Sequence, residues 1–312
     1  MRLETSTIKR VYFLGLGALG TMYASKLHTY NSDLVKVVVD EDRKRDYEKE
    51  AILVNDIPYH FSFITPASDE PAADLIIVAV KQHHLEAALP LVAPFVSEGT
   101  TILSLLNGIS SEAVIADHFG QEHILYAFGL QMDALRIGRQ VNYAHMGYIV
   151  FGEKDNSISD RVNAVKELLG NAGIPYQVPP DILKAMWFKF MLNVAVNQVS
   201  ALLELPFKVF RDIENARQLL VLAAKEVQAI ANKKGIDLLD EDINKMVEIV
   251  VGLYPEGKTS MLQDVEAKRA TELAIFAGEV RRQGELFHVS TPINDFLYHA
   301  LSLKEKSYLL HR

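Results

Sequence analysis

Lys189, Asn193 and Asn197 recur at intervals of four along Trp187-Phe188-Lys189-Phe190-Met191-Leu192-Asn193-Val194-Ala195-Val196-Asn197, where nearly every other residue is apolar. At 3.6 residues per turn, this spacing lines the three polar side chains along one stripe of a helix. The apolar remainder implies a helix buried round most of its circumference. Polar groups in such a place need partners, because an unpaired buried polar group costs roughly 2–7 kcal/mol. A substrate or catalytic network could supply them. The other reading is a narrow solvated face, for which more charges and fewer amides are expected. Partial desolvation lowers the pKa of a lysine and makes it a better general acid. Such a lysine suits a reaction in which a carbonyl carbon receives hydride while its oxygen takes a proton, and before reaction it would polarise the ketone.

A second polar cluster follows in Lys258-Thr259-Ser260-Met261-Leu262-Gln263-Asp264. Ser260 and Gln263 have capping-box spacing, so Ser260 is expected as the N-cap of a long helix over 260–283. Amides at that helix start would also suit a substrate carboxylate. Further along, Asp264, Lys268 and Glu272 fall on a common helical side. Surface ion pairing accounts for Asp264 and Lys268. Glu272, next to Thr271 and followed by the apolar run Leu273-Ala274-Ile275-Phe276, is expected to be partly buried and functional.

The motif Gly15-Leu16-Gly17-Ala18-Leu19-Gly20 sits between an apolar run and a helical pattern. In that context the first glycine allows a tight turn, the second lets amides approach a pyrophosphate, and the third allows close helix packing. The helix N-terminus adds oriented amides and a positive dipole end. About 20 residues on, Asp40 closes the next strand, where an acidic side chain accepts hydrogen bonds from ribose hydroxyls. That favours NADH. Arg43, Lys44 and Arg45 follow and could meet a 2′-phosphate instead, while Glu41 and Asp42 add to the negative side. Lys81 and Asn107-Gly108 end later strands, where ligands of parallel sheets sit; the bland alternatives are a first solvated lysine and a turn dipeptide.

These residues need two kinds of scaffold. Strands are expected over 11–14, 35–39, 75–80, 101–105 and 124–128, with helices over 18–30, 85–96 and 111–119, the alternation of a parallel α/β sheet. A short strand is expected over 59–64 and antiparallel edge strands over 136–151. After a helix over 159–172, Pro175, Pro179 and Pro180 exclude helix and mark a boundary. Residues 1–178 then form a Rossmann-like dinucleotide-binding domain. Residues 179–312 form an all-α substrate domain with helices over 181–205, 213–234, 240–253, 260–283 and 291–308. Thr291-Pro292 carries a capping hydroxyl before a first-turn proline.

With 312 residues, 49% of them apolar, and a net charge of −8, a globular two-domain protein is expected. The acidic balance speaks against a nucleic-acid partner, and the absence of cysteine excludes disulfides and thiolate chemistry. His83, His84 and His145 lack carboxylates at ligand spacing, so no metal is expected. No apolar run is long enough for a membrane helix. Residues 1–10 carry four charges and no apolar run, so no leader is expected and a cytoplasmic location is inferred. No Gly-Xaa-Ser-Xaa-Gly elbow is present.

Taken together, Val11–Gly20, Val80-Lys81, Asn107-Gly108, Gly147–Gly152, Trp187–Asn197, Lys258–Asp264, Arg269–Glu272 and Thr291–Asn294 resemble the ketopantoate reductase (2-dehydropantoate 2-reductase) family over nearly the whole chain. The resemblance implies Lys189 as general acid and Asn193 and Asn197 as substrate ligands. It implies that Ser260 helps hold the carboxylate, that Glu272 orients lysine or substrate, and that Asn107 lies at the nicotinamide. In that family NADPH reduces 2-dehydropantoate to pantoate on the route to pantothenate and coenzyme A. A homodimer is expected on the same ground. Two positions depart from the pattern: Lys81-Gln82-His83-His84 replaces roughly Lys-Ala-Xaa-Gln, and Phe207 replaces an asparagine that touches substrate in some members. Other small 2-keto acids, or a nucleotide sensor without turnover, are the rival readings.

Overall fold

In the computed structural model, which describes residues 7–309, the chain divides into two compact units. One runs through Asn107 and resumes over Ser111–Ile182; the other comprises Gly108–Ser110 and the chain from Leu183 onward. The expectation for residues 1–6 of the N-terminal segment lies outside the described residues.

The first unit contains β1 (Val11–Leu14), α1 (Ala18–Tyr30), β2 (Val35–Val38), α2 (Glu41–Tyr47), β3 (Ile52–Val54), β4 (Ile57–Tyr59), β5 (Ser62–Ile64), β6 (Leu75–Val78) and α3 (Leu85–Val92). It continues with β7 (Thr101–Ser104), α4 (Ser111–Phe119), β8 (Ile124–Leu130), β9 (Leu135–Ile137), β10 (Gln140–Asn142), β11 (Tyr148–Gly152), α5 (Asp160–Asn171) and β12 (Tyr176–Gln177). The main sheet has the order β12-β11-β8-β7-β6-β1-β2-β5. The six strands from β8 to β5 are parallel, and β11 pairs antiparallel with β8. Both faces of the sheet are covered, which is why its strands are apolar at consecutive positions. Val11 and Phe13 enter one buried cluster with Met22 and Leu27 of α1, while Tyr12 and Leu14 enter the other with Leu85 and Leu89 of α3.

Residues 136–151 do not all lie at the sheet edge. Only β11 joins the main sheet, one strand in from its edge strand β12; β9 and β10 join β3 and β4 in a second sheet of order β4-β3-β10-β9. The join is the parallel pairing of β10 with β3, and it is held by Arg139, which donates to the Glu50 carbonyl at 3.1 Å and to Asp46. The expected strand over 59–64 splits for the same reason, Tyr59 pairing with Ile52 in the small sheet and Ser62–Ile64 with β2. Helix α2 was not expected, because its seven residues, Glu-Asp-Arg-Lys-Arg-Asp-Tyr, have no apolar periodicity.

The second unit is helical: α6 (Ile182–Leu203), α7 (Lys208–Asp212), α8 (Glu214–Lys233), α9 (Asp240–Gly252), α10 (Ser260–Glu266), α11 (Ala277–Phe287) and α12 (Pro292–Leu309). The single helix expected over 260–283 is broken. It stops at Glu266, Lys268 takes a left-handed φ of 53°, and a 3-10 turn over Leu273–Ile275 precedes α11. The stop is made by side chains. Asp264 pairs with Arg269 at 2.8 Å, and the Thr271 amide donates to the Glu305 carboxylate of α12 at 2.8 Å rather than continuing a helix. Asp264, Lys268 and Glu272 therefore do not share a helical side. Pro292 does begin α12, yet the next amides, of Ile293 and Asn294, donate to the buried Glu226 carboxylate of α8 at 2.7 and 2.9 Å. Helix α6 ends on Glu204 with φ 55°, and Lys304 of α12 donates to the freed Leu202 carbonyl at 3.0 Å.

One buried carboxylate gives the first unit a pH response. Glu153, just past β11, accepts from Ser159 Oγ at 2.6 Å and from Arg161 Nε and Nη2 at 2.6 and 2.5 Å. Burial pushes its pKa up, but hydrogen bonds from Arg161 and Ser159 outweigh that and hold it below the usual glutamate value. A depressed folded pKa stabilises the fold above the unfolded value and loses that stabilisation as pH falls through the folded one. Arg161→Met should cost about 1–3 kcal/mol in denaturant melts at neutral pH and much less near pH 3. An equal loss at both pH values would show that Glu153 is not the partner that matters.

Candidate active site

The glycine turn begins where β1 ends. Gly15 has φ 104°, and a Cβ there would stand 2.9 Å from the Ala79 carbonyl group and 2.7 Å from Val80, so the turn presses on the segment leading to Lys81. At Gly20 a Cβ would fall 2.1 Å from the Gly15 carbonyl oxygen, so α1 starts flush against the turn. Gly17 is different. A Cβ there would meet the protein only at the Ala79 carbonyl oxygen, 3.5 Å away, an ordinary contact. No neighbouring group requires glycine at 17; a ligand approaching the backbone would. Gly17 is also the N-cap of α1, which has no side-chain cap and no acidic residue in its first turn, as an anion site needs. Leu16, Ala18 and Leu19 complete this turn, Leu16 buried and Ala18 the first helical residue. The cradle fits a dinucleotide pyrophosphate.

Asp40 lies two residues past β2 and caps α2: its Oδ1 accepts the Arg43 amide at 2.7 Å, and its Oδ2 stands 3.5 Å from Arg43 Nε. An aspartate before a charged run is a helix-start signal that could have revealed both the cap and α2. Arg45 pairs with Asp42. Lys81 is exposed and is the N-cap of the 3-10 turn Gln82–His84, in which the rings of His83 and His84 lie 4.1 Å apart. Partial burial, His84 and Lys81 together lower the His83 pKa. Asn107 stands past β7, half-buried, at the point where the chain leaves the first unit. Its loop is anchored by residues that sequence reasoning missed: Ser104 donates to Ser111 at 2.8 Å, and Ser111 to the buried Glu112 at 3.0 Å.

In the helical unit α6 is enclosed as expected, with Met186, Trp187, Phe190, Met191, Val194 and Ala195 all buried. Lys189 and Asn193 are half-buried and Asn197 is 6% exposed. The three share one line of the helix. Among the described residues, neither Asn193 nor Asn197 has a side-chain hydrogen-bond partner, whereas Lys189 does have an interacting group. Ser260 is not the cap of α10. The adjacent, buried Thr259 is, accepting the Leu262 amide at 3.1 Å, and Ser260 is the exposed first helical residue. Both hydroxyls could cap, and packing of Thr259 decided between them. Ser260 Oγ is thereby left out of the cap. Glu272 is half-buried at the head of the 3-10 turn, its carbonyl accepting the Ile275 and Phe276 amides at 3.1 and 3.2 Å; its neighbour Thr271 is held by Glu305 through both amide and hydroxyl.

These arrangements set a clean test of the glycine turn. Gly20→Ala should destabilise the unit by about 1–3 kcal/mol through overpacking and lower cofactor affinity with it. Gly17→Ala should leave the melting temperature nearly unchanged and weaken cofactor binding, read by nucleotide fluorescence, by roughly tenfold or more. Unchanged cofactor affinity in Gly17→Ala would remove the pyrophosphate from this turn.

The family model "Ketopantoate reductase PanE/ApbA" matches residues 11–156, and its C-terminal counterpart matches residues 181–305. The chain is 28% identical over 309 residues to a 2-dehydropantoate 2-reductase of a Nostoc species, covering 94% of each chain, and 27% identical over 304 residues to one of Pyrococcus horikoshii, covering 95% of this chain and 97% of that one. A solved 2-dehydropantoate 2-reductase from Geobacter metallireducens has a TM-score of 0.81 at 25% identity, over 94% of this chain and 99% of that one. A D-mandelate dehydrogenase solved with NADH and anilino(oxo)acetate shares the fold, with a TM-score of 0.83 at 22% identity over 96% and 99% of the two chains. By these matches the chain is an NAD(P)H-dependent oxidoreductase and belongs to the ketopantoate reductase family.

Proposed function

We propose that this enzyme reduces a small 2-keto acid, 2-dehydropantoate foremost, to the 2-hydroxy acid. The observation that carries the reading is the stripe on α6, in which two amides without a described protein partner follow a half-buried lysine inside an apolar shell. The reduced nicotinamide supplies the hydride. Lys189 polarises the ketone through Nζ and delivers the proton to its oxygen. The amides of Asn193 and Asn197 hold the substrate's oxygen groups, and Ser260, with the first amides of α10, holds the carboxylate. Glu272 keeps the lysine or the substrate in line, and Asn107 serves the nicotinamide end. The homodimer implied by the resemblance belongs to the same proposal.

A keto acid with a more apolar branch is the second reading. It is favoured by Phe207, whose ring packs against Gly257 and the helical core at the position where the resemblance implies an asparagine in some members. Steady-state assays over a panel of small 2-keto acids decide between them, and equal weak turnover of every member would sink both. With the preferred substrate, Lys189→Ala should lower kcat by roughly two to four orders of magnitude at nearly unchanged cofactor affinity. Near-normal turnover in that variant would make the stripe structural.

For the cofactor we propose NADH over NADPH. Asp40, just past β2, accepts the Arg43 amide, which favours holding its carboxylate where a 2′-phosphate would meet it. At contact distance and an effective dielectric near 20, that repulsion is on the order of a few kcal/mol. Asp40→Ala should therefore raise catalytic efficiency with NADPH relative to NADH. A tenfold or greater preference for NADPH in the unmodified enzyme would show that Arg43 and its basic neighbours prevail.

A further inference from the structure

One buried side chain ties α6 to the segment that carries Glu272. Gln198 follows Asn197 directly, is fully buried, and is occupied at both ends. Its Oε1 accepts the Ala277 amide at 2.9 Å, while its Nε2 donates to the Val194 carbonyl at 2.8 Å and to Asn294 Oδ1 at 3.1 Å. Ala277 opens α11, and its amide is one that the helix cannot satisfy internally. The preceding Phe276 offers no side-chain cap. A glutamine from another helix is therefore the cap of α11.

The connection extends in both directions. Upstream of Ala277, the Ile275 and Phe276 amides close on the Glu272 carbonyl, so residues 272–277 form one hydrogen-bonded turn whose far end is held by Gln198. On the other side, Asn294 is fully buried and donates to Glu226 Oε2 at 2.7 Å, and the same carboxylate caps α12. An apolar residue of similar size would fill the volume of Gln198. A buried amide satisfied at every position adds directionality, which fixes a unique register between the elements it joins.

We propose that Gln198 is a positioning residue: it holds the turn that begins at Glu272 in register with the Lys189, Asn193 and Asn197 stripe on α6. The inference rests on the reading of Lys189 and Glu272 as acting groups. Gln198 itself touches no reacting atom. Its effect passes through the Ala277 amide to the Glu272 turn.

The test uses Gln198→Met, which keeps the volume, and Gln198→Ala in the full-length enzyme with cofactor and the best keto acid. Gln198→Met should fold, bind cofactor normally, and lose roughly 10- to 100-fold in kcat, the range for residues that orient catalytic groups. The limb of the kcat–pH profile that reports the proton donor should move by about half a unit or more. In a Glu272→Gln background the added loss should shrink below about threefold, since the two residues act through one turn. The proposal is overturned if Gln198→Met keeps kcat within about twofold, if the rate falls without a change in the pH profile, if its full effect persists in the Glu272→Gln background, or if neither variant folds. Lys189→Ala run alongside separates the readings. Retained turnover there overturns the site assignment, whereas loss there beside a fully active Gln198→Met overturns only the positioning role.

Discussion

A long helix enclosed by apolar neighbours gives the polar side chains it carries little water to fall back on. Helix α6 is in that position: Trp187, Phe190, Met191, Val194, Ala195 and Val199 are buried in one cluster with residues of α8, α9, α11 and α12. Turning such a helix about its axis would drive Lys189, Asn193 and Asn197 into hydrocarbon and expose methyl and aromatic surface, at a cost of roughly 25 cal/mol for each Å² of apolar area returned to water. The polar line is therefore held in one direction by everything around it that is not polar. Reduced dielectric round the line also makes its hydrogen bonds stronger.

The same unit shows how helices that start inside a core are capped. Ala277 takes Gln198, α12 takes Glu226, and the freed carbonyl at the end of α6 takes Lys304. Each partner comes from a different helix, so forming the ends of these helices and docking them together are one event. Removing such a partner leaves a buried donor or acceptor with nothing in its place. The short turn from Glu272 to Ala277 is closed by its own amides at one end and by Gln198 at the other.

In the α/β unit the governing constraint is steric. The turn after β1 is compressed between Ala79 and the start of α1, so that neither Gly15 nor Gly20 has room for a methyl group, while Gly17 has room that its neighbours leave unused. Two glycines thus serve the fold, and the third leaves open space beside the backbone. Asp40 has a double position as well, capping α2 with one oxygen and facing Arg43 with the other.

Local pattern was sufficient for β1, α1 and α4, whose observed limits of Val11–Leu14, Ala18–Tyr30 and Ser111–Phe119 coincide with the apolar runs and helical spacing in the chain. It was sufficient, too, for the α6 stripe, because a period of four is a property of neighbouring residues, while the family was legible as a resemblance of several motifs together. The break within 260–283 was not legible, since two of the groups that hold it, Glu305 on Thr271 and Gln198 on Ala277, lie 34 and 79 residues away in sequence. The second sheet was hidden for the same reason: β3 and β10 pair only once the chain has folded back on itself. Between Thr259 and Ser260, adjacent hydroxyls with equal capping chemistry, only the burial of Thr259 decided which one closes the helix and which stays exposed. Sequence alone determined which elements form and which side chains share a face; long-range hydrogen bonds, whose donors and acceptors become neighbours only in the folded state, decided where those elements end.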